Sequence, residues 1–176
     1  GAKPAEAGGI YAFVPQEVMA RASTIEQVYA PPPKEDDKWL ISWSELEVIK
    51  VVGSGAFGEV SMAKYGDHLV AVKTVKSADG STLGEKEIDE FKREAETMKA
   101  LPPHPNVLAL VGVAHDPIAL ITEFCALGAG DKYLQTNTLS ARATLDWHTS
   151  LCRGVKHLHS CDIIHRDLAA RNVLVQ

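Results

Sequence analysis

Strand-like alternation of apolar and polar side chains is clearest between residues 46 and 76. Leu46 to Val52 reads as a strand, and Glu59 to Tyr65 and His68 to Lys76 read as a hairpin turning at Tyr65-Gly66-Asp67. After a polar stretch, Ser77 to Gly84, the period lengthens. Ile88, Phe91, Ala95 and Met98 recur at spacings of three and four, which predicts a helix with one face on a core. Leu101-Pro102-Pro103-His104-Pro105 stops that helix, because proline donates no backbone hydrogen bond and disfavours helical geometry in its predecessor. Two short apolar strands are predicted next, Val107 to Val113 and Ile118 to Glu123. A long helix over about Ser140 to Ser160 then carries Trp147, Leu151, Val155 and Leu158 on one stripe. Five strands with one helix, followed mostly by helix, describe an α+β architecture in two parts.

Residues 1–38 have a different texture. They hold five of the nine prolines, including Pro31-Pro32-Pro33, followed by the charge cluster Lys34-Glu35-Asp36-Asp37-Lys38. No apolar period persists there, so a flexible leader of partly polyproline-II character is expected, with a short helix at Gln16 to Gln27. Tyr11 and Tyr29 lie in this stretch and are candidates for phosphorylation and docking by an SH2-type partner.

Composition then narrows the classes. The 176 residues carry 18 Lys+Arg against 23 Asp+Glu, a formal charge of −5, which argues against a broad nucleic-acid-binding face. No apolar run approaches the ~18 residues that a membrane-crossing helix needs. Cys125, Cys152 and Cys161 are odd in number and lack CxxC spacing, so a disulfide framework is not expected and a reducing, cytoplasmic setting is. Read as a metal cluster, Cys152, His157, His159, Cys161 and His165 do not reproduce the spacing of structural zinc sites.

Three motifs carry chemistry. Gly53-Ser54-Gly55-Ala56-Phe57-Gly58-Glu59-Val60 has the GxGxxG form, which on its own marks only a tight turn. A dinucleotide fingerprint requires a helix directly after the glycines. Here the glycines fall between two strands, which leaves a hairpin whose backbone amides can approach phosphate oxygens. In Val70-Ala71-Val72-Lys73 the valines take one face of a strand, while Ala71 and Lys73 take the other. A lysine that holds phosphate needs an anionic partner, and of Glu90, Glu94 and Glu96 it is Glu94 that flanks the core-facing stripe of the helix. The third motif, His165-Arg166-Asp167-Leu168-Ala169-Ala170-Arg171-Asn172, places a proton-accepting carboxylate five residues before an amide that can ligate a metal.

In this order, the three motifs resemble the glycine-rich loop, strand lysine and catalytic loop of the eukaryotic protein kinase family. The resemblance runs from about Trp43 to Gln176, and the HRDLAARN wording is similar to the tyrosine-kinase form. It implies a protein-kinase-like fold, with a five-stranded antiparallel small lobe at about 44–124 and the start of a larger lobe at 125–176. It implies ATP and magnesium as cofactors and a protein tyrosine as acceptor. Gly53 to Gly58 would cover the phosphates, and Val60, Ala71 and Leu174 would sandwich the adenine. Lys73 would hold the α- and β-phosphates and pair with Glu94. Thr122 falls at the gatekeeper position, and backbone groups of Glu123 and Cys125 would bond the base. Asp167 would orient and deprotonate the acceptor hydroxyl, Arg171 would support it, and Asn172 would bind magnesium. Met98, Leu110 and His165 resemble members of the hydrophobic column of active kinases. Cys125 is expected to be reachable by electrophiles. Gly130, where relatives usually carry leucine, is expected to loosen the start of the next helix.

The residues given contain no Asp-Phe-Gly segment and no activation loop, so these 176 residues are expected to be part of a kinase domain and inactive alone. The alternatives are a pseudokinase acting as an ATP-binding scaffold, and a kinase of serine/threonine or dual specificity.

Overall fold

A computed structural model describes residues 12–14, 38–55, 58–75 and 84–176. In chain order the elements are β1 (Ala12–Val14), a 3-10 turn (Trp43–Glu45), β2 (Leu46–Gly55), β3 (Gly58–Tyr65), β4 (His68–Val75), α1 (Glu85–Ala100), β5 (Leu110–His115) and β6 (Ile118–Glu123). There follow β7 (Gly128–Ala129), α2 (Gly130–Thr136), α3 (Ala141–Ser160), a 3-10 turn (Ala170–Asn172) and β8 (Val173–Val175). They fall into two compact units. One comprises the described residues of 26–95 with Ala109–Phe124, and the other those of 1–25 with Glu96–Leu108 and Cys125–Gln176.

The first unit is built on a five-stranded sheet in the order β2-β3-β4-β6-β5, antiparallel throughout. Residues directly opposite one another share a face. Val70 and Val72 turn to one face and join Ala63, Ala119 and Ile121 in a core closed by Ile41, Leu46, Val111 and Ala114. The other face carries Val113 and Leu120, covered by Phe91 and Ala95 of α1. Leu120, Ile121, Val70 and Val72 are fully buried, each worth roughly 1.5–3 kcal/mol of hydrophobic stabilisation.

In the second unit β8 is the central strand of a small sheet, parallel to β1 and antiparallel to β7. Ala12–Val14 is thus a strand, within a stretch whose composition suggested only a leader. The expected helix at 16–27, and Tyr11 and Tyr29, lie outside the described residues. Ser140 caps α3 by accepting from Ala143 N–H, and Trp147, Ser150, Gly154 and Leu158 form its buried stripe. One border differs from the sequence reading. β5 begins at Leu110 rather than Val107, because His104–Val107 form a turn in which His104 Nδ1 accepts from Asn106 N–H at 3.1 Å. Val107 and Leu108 are apolar because they are buried in the second unit, not because they belong to the sheet. No helix among the described residues is long and apolar enough to cross a membrane.

Candidate active site

The glycine motif folds as the hairpin between β2 and β3, with Gly53 opposite Val60, Ser54 opposite Glu59 and Gly55 opposite Gly58. Ala56 and Phe57, at its tip, lie outside the described residues. Gly58 has φ +145°, and a β-carbon there would collide with the Thr74 carbonyl of β4. Only glycine lets the flap lie this close to the neighbouring strand.

Register then places the lysine. Lys73 stands opposite Val60 on one side and Leu120 on the other, while Ala71 stands opposite Met62 and Thr122. Val60, Ala71, Lys73 and Thr122 therefore share the face of the sheet that α1 helps to cover. Lys73 Nζ donates to both oxygens of Glu94, at 2.8 and 2.9 Å. The neighbouring acids are elsewhere: Glu90 is exposed near Lys86, and Glu96 pairs with Lys99 at 2.9 Å. Glu94 is nearly buried, and loss of hydration holds its carboxyl above the usual glutamate range. The charge and hydrogen bonds of Lys73 pull it part of the way back.

At the end of β6, Thr122 and Glu123 are half-buried. The Glu123 carboxylate accepts from Ala109 N–H at 2.7 Å, and burial, only partly offset by that bond, pushes its pKa up. Cys125 is buried, at 7% exposure, so the expected access for electrophiles is absent; its carbonyl accepts from Gly128 N–H at the turn into β7. Leu174 is half-buried on β8, opposite Ala129.

The second unit holds the other cluster. Arg166 sits in the left-handed region at φ 63°, a conformation that costs a non-glycine residue about 1–2 kcal/mol. Around it the chain turns, leaving His165 buried and Asp167 exposed. His165 Nδ1 and carbonyl both accept from Asp167 N–H, at 3.3 and 2.9 Å. One Asp167 oxygen accepts from Arg171 at 2.6 Å and the other from Asn172 Nδ2 at 2.8 Å. The same Nδ2 donates to the Asp167 carbonyl at 2.8 Å. These bonds, Asn172 first and Arg171 next, hold Asp167 below the usual aspartate range, so it stays ionised. Asn172 uses its amide nitrogen inward, which leaves Oδ1 as an acceptor beside a carboxylate. Oδ1 of Asn172 is a hard oxygen donor of the kind that magnesium takes.

The structure thus brings Lys73 to Glu94, and Arg171 and Asn172 to Asp167. Met98 and His165 are buried in the second unit, and Leu110 is half-buried in the first. Among the described residues no group of three or more His, Cys, Asp or Glu side chains is placed to hold a metal. His157 instead stacks on His104, ring centroids 4.5 Å apart, and its Nε2 bonds the Pro102 carbonyl at 2.9 Å. Gly130, where a loosened helix start was expected, is the first residue of α2. A β-carbon at 130 would lie 2.8 Å from Trp147 Cζ2 and 3.1 Å from the Ala170 carbonyl, so the missing side chain makes room for the indole. The Glu123–Ala109 and Gly130–Trp147 contacts have no signature in the sequence, since each joins positions without fixed spacing.

Residues 46–176 match the family model described as protein tyrosine and serine/threonine kinase. The chain is similar to the human tyrosine-protein kinase FRK, 38% identical over 148 residues that make up 81% of this chain and 28% of that protein. It is 37% identical to the human cytoplasmic tyrosine-protein kinase BMX, over 78% of this chain and 20% of that protein. With the Drosophila melanogaster tyrosine-protein kinase Abl it shares 39% identity, over 82% of this chain and 9% of that protein. The chain spans less than a third of the length of each of these relatives. With a kinase family model covering both the five-stranded sheet and the Asp167 loop, this chain belongs to the protein tyrosine and serine/threonine kinase family.

Proposed function

We propose that this chain is the nucleotide-binding and catalytic-loop portion of an ATP- and magnesium-dependent protein tyrosine kinase. The observation that carries the reading is the two-pronged Lys73–Glu94 pair on the strand next to a glycine hairpin. Phosphoryl transfer asks a protein mainly to position reactants and neutralise phosphate charge. An ammonium group fixed at 2.8 Å by a nearly buried carboxylate is a pre-set counter-charge for phosphate oxygens. The hairpin amides supply further donors, and Val60 and Ala71 supply apolar surface for adenine.

Asp167 takes the role of base toward the acceptor hydroxyl, held ionised by Arg171 and Asn172. Magnesium, when bound through Asn172, screens the phosphate charge. Tyrosine as acceptor is supported by the names of FRK, BMX and Abl and by Ala169 and Arg171 in the HRDLAARN wording. A cytoplasmic location is supported by the printed name of BMX and by three free cysteines. Docking of SH2-type partners at Tyr11 or Tyr29 belongs to the same proposal.

Residues 1–176 contain no Asp-Phe-Gly, whose aspartate is a principal magnesium ligand in this reaction class, so these residues alone bind ATP without transferring phosphate. Two measurements test the proposal. Fluorescent ATP is titrated into the chain and its Lys73→Met variant, where a Lys73-dependent affinity is expected and equal binding by both overturns the nucleotide assignment. Peptides with tyrosine or serine acceptors are offered to a protein carrying this chain together with an Asp-Phe-Gly segment. Preferential transfer to serine overturns the tyrosine assignment.

A further inference from the structure

β2 lies at the edge of its sheet, and among the described residues β3 is the only strand beside it. Its outer side therefore presents backbone N–H and C=O groups without a ladder partner, the arrangement that recruits a further strand. Natural edges are often blunted by proline or by an excess of charge. This one is not. Glu47-Val48-Ile49-Lys50-Val51 is exposed throughout and its two charges cancel, while Val48, Ile49 and Val51 stand 44%, 49% and 53% exposed. Such β-branched side chains favour pairing.

The strand is irregular at one point. Val48 stands opposite Ala63 and Lys50 opposite Met62, so Ile49 is an extra residue, a β-bulge. In a regular strand, residues three apart point to opposite faces. The bulge cancels that alternation. Glu47 is opposite Lys64 and Lys50 opposite Met62, two residues along β3, so Glu47 and Lys50 share a face. Among the described residues neither of them is in an ion pair.

Read in the opposite direction, this segment meets its own complement. When two copies are set antiparallel about a point between Val48 and Ile49, Glu47 of each stands opposite Lys50 of the other. Opposite residues must share a face, and the bulge supplies that condition. One two-fold axis thus satisfies both charges twice, in an isologous contact. A bulge ordinarily disturbs an edge for a foreign strand. At the centre of a two-fold pair it meets the same bulge in the other copy, which favours a second copy over an unrelated peptide.

We propose that β2 is a homodimerisation edge, on which a second copy of this chain pairs antiparallel through residues 47–51 and joins the two sheets into one. The proposal does not depend on the nucleotide reading. So short a contact buries less than a permanent complex does, so the dimer is weak and concentration-dependent.

Sedimentation equilibrium of the 176-residue chain, over about 10 μM to 1 mM, is expected to show monomer and dimer in exchange. Glu47→Lys and Lys50→Glu each replace two attractions by two repulsions, and each should weaken self-association about tenfold or more at low salt. Mixed in equal amounts, the two variants should associate about as well as the unmodified chain, because every facing pair is again of opposite charge. Both side chains are exposed, so melting temperatures close to the parent's should show that folding is intact. Self-association that survives both single changes, or fails to return in the mixture, overturns the proposal. A chain that stays monomeric throughout overturns it as well and leaves the edge to an extended peptide of another protein. Amide exchange gives a second reading: protection at residues 47–51 should grow with concentration in the unmodified chain and in the mixture, but not in either variant alone. Protection that ignores concentration overturns the assignment to β2.

Discussion

Glu94 offers both carboxylate oxygens to the Lys73 ammonium group, and does so from a position only 9% exposed. Burial opposes its charge more strongly than Lys73 favours it. A partner that costs the fold something to ionise is present for what it holds, so Glu94→Gln should separate folding from binding. We expect the thermal midpoint of the variant to stay within a few degrees of the parent. ATP affinity should fall about tenfold, since a charge-assisted bond that fixes Lys73 is exchanged for a neutral one. Parallel melting and fluorescence titration decide it, and a large drop in melting temperature would show the pair to be structural.

Acid should act on the two clusters in a definite order. Glu94 titrates above the usual glutamate range and Asp167 below the usual aspartate range, so falling pH uncouples Lys73 while Asp167 is still charged. The stability terms have opposite signs. The contribution of Glu94 is complete below its unfolded pKa and is lost as pH rises through its folded value. That of Asp167 is present above its unfolded pKa and is lost as pH falls through its folded value. Carboxyl carbon shifts followed over about pH 3 to 7 should show Glu94 protonating first. Melting of Glu94→Gln across the same range should lack the Glu94 component.

The bond from Asn172 is the largest single influence that lowers the Asp167 titration, and both the bond and the charge of Arg171 lower it further. Asn172→Ala and Arg171→Ala should each raise the Asp167 titration toward the usual aspartate range. Asp167 is exposed, so neither change should move the melting temperature appreciably. Titration of the Asp167 carboxyl in each variant checks this, and an unmoved titration in either would show that the bond removed does not hold the charge.

Gly130 and Trp147 divide one space between them. Gly130→Ala should cost about 1–3 kcal/mol, as an added methyl group in a tight core does. Trp147→Phe removes the ring atoms that the new methyl would strike. The double variant should be less destabilised than the sum of the singles by about 1 kcal/mol or more. Denaturant unfolding of the four proteins measures this directly, and strict additivity would show that the Ala170 carbonyl, not the indole, is the obstacle.

Much of this was legible in advance, for identifiable reasons. The interval of three or four residues that singled out Glu94 from Glu90 and Glu96 is a property of helices, and α1 turns Glu94 inward beside Phe91 and Ala95 while the other two stay exposed. Alternation on β4 separated Val70 and Val72 from Lys73 because a strand has period two. Periodicity could not tell that Val107 and Leu108 belong to a different core from Val111 and Val113, since an apolar run reads the same wherever it is buried. Nor could it show Cys125 as buried, because exposure of a connecting residue depends on what folds over it. The bond from Ala109 N–H to the Glu123 carboxylate is a side chain competing with backbone, and composition records nothing of that contest.

Asn172 gives both of its amide hydrogens' worth of direction to Asp167, one nitrogen serving the carbonyl and a carboxylate oxygen at 2.8 Å each. Its nitrogen is therefore also the point at which the protein can age. Hydrolysis of that amide would replace a donor with a second anion facing the first. A mass increase of about one dalton at Asn172 would mark each molecule in which that amide has been hydrolysed.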